Sequence, residues 1–130
     1  MPSIRHVAIR CASPAAMAEF YKGVFDLQEV WRDKDSRVVY LTDGVMNLAL
    51  LPPVSAGGED GQNGINHFGF LIENLEEIQR RLEVAEVPAA TARPQDGRRY
   101  AEFRAADPEG NWFDLAEKGW AIAPPPPAAE

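Results

Sequence analysis

The chain has 130 residues, 45% hydrophobic and 25% charged, proportions that suit one compact domain or two small fused modules. A formal net charge of −7 argues against nucleic acid and anionic membrane as main partners, because both select basic surfaces. One cysteine, Cys11, excludes an intrachain disulfide. No apolar run approaches the ~20 residues of a membrane span, and no basic start followed by an apolar core marks a signal peptide, so a cytoplasmic protein is expected.

In chain order, residues 4–11, IRHVAIRC, alternate as a strand does. SPAAMAEFYKGVF follows, with Ser13 as N-cap and Pro14 at the first helical position. Met17, Phe20, Tyr21 and Val24 recur at helical spacing and predict one apolar face. Three strands are predicted next, at 27–32, 37–42 and 45–51, the last two joined by the turn signal Asp43-Gly44. Residues 52–64, rich in Pro and Gly and without a period, read as a linker.

The second half repeats the order. Residues 65–72, INHFGFLI, form a strand. NLEEIQRRLEVAEV is a helix with Asn74 as N-cap, Glu77 as the reciprocal member of a capping box, and an apolar stripe of Ile78, Leu82 and Ala85. A weak extended segment near 89–92 precedes strands at 99–105 and 111–117, which the turn DPEG joins. The tail from 119 ends in a proline run and reads as mobile or as an arm. The expected modules are therefore 4–51 and 65–118, each βαβββ. The predicted fold class is α+β: two paired modules forming a curved, barrel-like mixed sheet, with helices outside and a central cleft.

Strand alternation assigns faces. Val7, Ile9 and Cys11 share one face of the first strand, and Phe68, Phe70 and Ile72 share the matching face of the other module's first strand. These bulky sets should pack on the helices. His6 and His67, the chain's two histidines, then point the other way, beside small Ala8 and Gly69. In the last strands Phe113 and Leu115 face the helix, leaving Asp114 and Trp112 opposite, and Asn47 takes the place of Asp114 in the first module. A carboxylate in an apolar strand is costly unless paired or bound to a cation. Two imidazoles with one carboxylate form a donor set that binds a divalent transition metal and leaves positions open. His6, His67 and Asp114 are thus candidate metal ligands, Asn47 is a fourth polar side chain on the matching face, and the sequence does not choose among Fe, Mn, Ni, Co and Zn as the ion. Considered alone, Asp114 would equally suit a turn cap or a pair with Arg104, and Asn47 an ordinary strand hydrogen bond.

HVAIRCASPAAMAEFYKGVFDLQEV, NHFGFLIENLEEIQRRLE and FRAADPEGNWFDLAE together resemble the vicinal oxygen chelate superfamily, also called the glyoxalase/bleomycin resistance/dioxygenase group, from about residue 4 to 118. The resemblance implies paired βαβββ modules and a divalent metal at the positions of His6, His67 and Asp114, with a fourth ligand at or near Asn47. Glu is usual in such enzymes where Asp114 stands. The ring-cleaving dioxygenases among them use a further cleft histidine, and no third histidine exists here.

The same alternation turns Tyr100, Glu102 and Arg104 inward. Glu102 is a candidate general base. Tyr100, Arg104 and Trp112 are candidate substrate contacts, Arg104 for an anionic group. Glu102 and Arg104 would equally suit a simple ion pair. The expected function is a metal-dependent lyase or isomerase that chelates neighbouring oxygens of a small substrate and transfers a proton. The alternatives are a non-enzymatic drug- or antibiotic-binding protein that confers resistance, and a dioxygenase. The expected assembly is a homodimer, with a small molecule as the other partner.

Overall fold

The computed structural model describes residues 1–55, 61–94 and 101–118. They fall into two compact units, residues 6–66 and residues 1–5 with 67–118. The fold class is α+β, with a βαβββ element order that occurs twice.

The first repeat holds β1 (Ser3–Arg10), α1 (Pro14–Phe25), β2 (Gln28–Arg32), β3 (Val39–Thr42) and β4 (Asn47–Leu51). Its strands lie in the order β2-β3-β4-β1, antiparallel except for the parallel β1–β4 pair. Ser13 caps α1 as expected, its Oγ accepting the Ala16 N–H at 3.2 Å. Asp26 ends the helix in the left-handed region, φ 58°, with its N–H donating to the Lys22 carbonyl. Gly44 has φ 98° in the β3–β4 turn. There Asp43 Oδ1 accepts the N–H groups of Val45 and Met46, both at 2.8 Å.

The buried Ala18 of α1 packs with Val39, Leu41 and Leu50, and Ile9, Cys11, Met17 and Tyr21 close around them. This is the expected helix-facing side of β1. The expected face of α1 needs correction. Phe20 is 53% exposed and Val24 57%. At 3.6 residues per turn the buried arc runs through Pro14, Met17, Ala18 and Tyr21, and Phe20 falls about a third of a turn to its side.

The second repeat holds β5 (Gly64–Leu71), α2 (Leu75–Val84), β6 (Thr91–Ala92), β7 (Phe103–Ala106) and β8 (Trp112–Ala116), ordered β5-β8-β7-β6. β5 and β8 run parallel, and the other neighbours run antiparallel. Phe70, Leu75, Ile78, Leu82, Phe103 and Phe113 pack around Ile72, Ala90, Ala105 and Leu115. Asn74 Oδ1 accepts the Glu77 N–H at 3.1 Å, while the Glu77 carboxylate turns forward along the helix to Arg80 and Arg81. Glu117 on the strand side accepts the Leu75 N–H at 2.8 Å and adds a second cap.

The helix stops earlier than its apolar stripe suggests. Glu86 turns left-handed at φ 62°, and the Val87 N–H reaches back to the Leu82 carbonyl, so Ala85 is exposed at the end. Residues 52–55 and 61–63 carry no helix or strand. Residues 95–100 and the expected tail from 119 lie outside the described residues.

Candidate metal and substrate site

In the first unit, parallel register sets His6 of β1 beside Asn47 of β4, and antiparallel register sets Asn47 opposite Thr42 of β3. His6 is fully buried, and Asn47 and Thr42 are each 2% exposed. Ala8, the next residue on the same face as His6, is also fully buried. Three polar side chains without contact to bulk water on one sheet must be matched by partners, because unmatched burial of polar groups is costly. Thr42 is matched locally: its Oγ1 donates to the Met46 carbonyl at 2.7 Å and accepts the Gly44 N–H at 3.0 Å.

In the second unit, parallel register brings Gly69 of β5 beside Asp114 of β8, and antiparallel register brings Arg104 of β7 opposite the same Asp114. His67 lies two residues before Gly69, on the same face. His67 Nε2 lies 3.1 Å from Asp114 Oδ2, with the two side chains 7% and 4% exposed.

Arg104 takes the other side of that carboxylate. Its Nε donates to Oδ1 at 2.6 Å and its Nη2 to Oδ2 at 3.2 Å, a fork in which each carboxylate oxygen accepts one N–H. The guanidinium carbon also stands 4.8 Å from the centre of the Trp112 ring, within cation–π range. The guanidinium is thus held between a carboxylate and an indole. Of the two acids the sequence offered Arg104, the ion pair is with Asp114. Glu102 instead accepts the backbone N–H of Glu117 at 2.6 Å. Tyr100, the third expected inward residue of that segment, lies outside the described residues.

The donor chemistry fits a divalent transition metal. Two imidazoles and one carboxylate are a set used for such ions, and all three side chains are removed from water. Cys11 is no rival donor. Its Sγ lies 3.6 Å from the Leu51 carbonyl, and burial pushes the thiol up, away from the thiolate that binds metals. What sequence reasoning left open here was the fork on Asp114. It depends on hairpin register, which pairs residues 104 and 114 across the turn at 107–110.

The profile of the Glyoxalase/Bleomycin resistance protein/Dioxygenase superfamily matches residues 3–115. A relative from Bacillus subtilis (strain 168), named "Probable trivalent organoarsenical cleaving enzyme", is 28% identical over 115 residues, 85% of this chain and 76% of the relative. A hypothetical protein from Bacillus halodurans C-125 has a similar structure, with a TM-score of 0.70 and 20% identity over 95% of this chain and 99% of that one. Methylmalonyl-CoA epimerase from Mycobacterium tuberculosis superposes with a TM-score of 0.62 at 17% identity, over 86% of this chain and 85% of that one. At these identities the two structures attest the shared fold.

Proposed function

Because the chain belongs to the Glyoxalase/Bleomycin resistance protein/Dioxygenase superfamily, we propose that it is an enzyme acting on a small molecule with two neighbouring oxygens, through one divalent ion held by His6, His67 and Asp114. In this reading Asn47 is the candidate fourth ligand. Bound there, the ion would supply Lewis-acid polarisation of the substrate oxygens. The observation that carries the reading is the 3.1 Å approach of the His67 imidazole to the Asp114 carboxylate, both nearly without water. His6 is the matching histidine of the other repeat and is fully buried. The residues' own part is to present neutral nitrogen and anionic oxygen donors from rigid strands.

The proposed reaction class is proton transfer, as in a lyase or isomerase, and the inventory of bases supports it. Both histidines are committed as ligands, so no imidazole remains for the acid–base work of ring cleavage. Glu102 is the proposed base, with Trp112 and Tyr100 as stacking surface for the substrate. The organoarsenical chemistry in the relative's name is not carried over. Trivalent arsenic is thiophilic, and this chain offers one cysteine, half-buried and with its thiol pushed up by desolvation.

Elemental analysis of protein prepared without chelator, then reconstituted with Fe, Mn, Co, Ni and Zn in turn, tests the ligand set. Wild type should retain about one ion per chain and His67→Ala far less. A metal-free wild type after every reconstitution would sink the reading and leave the binding protein in its place. For the reaction class, loaded protein is incubated in deuterated water with small α-hydroxy-ketones, 2-oxo-thioesters and catechols. Deuterium wash-in that Glu102→Gln abolishes is expected. Oxygen uptake with a catechol, indifferent to that substitution, would show a dioxygenase instead.

A further inference from the structure

We infer that Arg104 is a built-in counter-charge that sets the divalent-metal affinity of Asp114. The inference rests on the metal reading above but concerns a residue which that reading does not use. Three observations carry it. Register fixes Arg104 directly opposite Asp114 on the same face. The guanidinium contacts both carboxylate oxygens, at 2.6 and 3.2 Å. Its other side lies against the Trp112 ring, and only 13% of the side chain is exposed, so the group is held in place.

The charge count follows. Two neutral imidazoles and one carboxylate bring a charge of about −1 to a divalent ion. An arginine is a permanent cation. Clamped on that carboxylate, Arg104 offsets its charge, so an incoming ion meets a donor set with no net charge. His67 Nε2 also stands 3.1 Å from Oδ2, so an ion would have to share this carboxylate with both the fork and the imidazole. The expected consequence is a lower affinity for the ion than the same three donors would have without Arg104. The opposite role is also physically possible: a donor that orients a ligating carboxylate strengthens binding. Charge and hydrogen bond must therefore be separated.

Arg104→Gln keeps an N–H donor for Asp114 and removes the charge. Arg104→Lys keeps the charge and loses the fork. Affinity is measured by titrating metal-free protein with Co2+ and with Zn2+ against a chromogenic chelator, at fixed pH and ionic strength. Arg104→Gln should bind about tenfold more tightly than wild type, and Arg104→Lys within threefold of it. If Arg104→Gln does not fold, Arg104→Asn, which also keeps an amide donor without the charge, is read the same way. A tightening below threefold, or any weakening, overturns the counter-charge and makes Arg104 an orienting or structural group. If wild type and variants all bind neither ion, the metal reading itself fails and this inference with it, which is distinct from a wild type that binds while its variants bind no more tightly.

Discussion

Arg104 and Asp114 face each other across the β7–β8 hairpin with side chains 13% and 4% exposed. At such a pair, removing one member leaves the other as an unmatched charge with little water to solvate it. Asp114→Ala is therefore expected to lower unfolding stability by about 3–5 kcal/mol. Adding Arg104→Met to Asp114→Ala should restore much of that loss, because no orphan charge then remains. Urea denaturation of wild type, single and double variants measures it; equal losses in the single and double variants would count against the pair. The sequence marked His6, His67 and Asp114 for a definite reason. Each is a polar residue in an apolar alternation, and such a residue must have a partner. The sequence did not choose the partner of Arg104. Glu102 is two positions away on the same face and Asp114 is ten positions away, and the difference is made by how the turn at 107–110 sets the register. There Asp107 accepts N–H groups from Glu109 and Asn111 at 2.9 Å, and Gly110 takes φ 90°.

Among the elements, α1 is tied to β2 by one carboxylate. Glu29 accepts from Arg32 at 2.8 and 3.1 Å and from Lys22 of the helix at 2.8 Å. Hydrogen bonds from Arg32, then from Lys22, hold its carboxyl at about 2. A depressed carboxyl contributes stability above its ordinary range, and that contribution is lost as pH falls from about 4.5 to about 2. The difference in stability between wild type and Glu29→Gln should therefore be full at pH 6 and vanish near pH 2. The groups are partly exposed, so solvent screening limits the full difference to about 1 kcal/mol. Thermal melts across that range decide; a difference independent of pH would remove the ion pair from the account. Asn74→Ala, which deletes the cap of α2, should cost about 1 kcal/mol at all these pH values, less if the Glu117 contact to Leu75 compensates. Element order and type were legible because caps, periods and turn dipeptides are local. Helix ends were not: α2 stops at Val84 because Glu86 adopts a left-handed conformation that its residue type does not announce.

For the whole molecule, the two repeats carry separate small cores, one around Leu41 and Leu50 and the other around Ile72 and Leu115. The repetition was legible because two β-then-α patterns with a histidine near each start stand in one chain. The outer side of α1 was not, because helical spacing alone does not say how wide the buried arc is. Phe20, Val24 and Phe25 are 53%, 57% and 62% exposed, and Phe20, Tyr21 and Phe25 form one aromatic cluster with ring centres 5.1–6.5 Å apart. Contiguous exposed aromatic surface on a chain with net charge −7 suits self-association: charge keeps the rest of the surface apart, while apolar area removed from water favours contact at one place. The expected assembly is therefore a homodimer that buries this side of α1. Light scattering at micromolar concentration should give twice the chain mass, and Phe20→Ser with Phe25→Ser should shift it toward the monomer without lowering the helix content. A wild-type monomer removes the dimer; a dimer unchanged by the double substitution places its interface elsewhere.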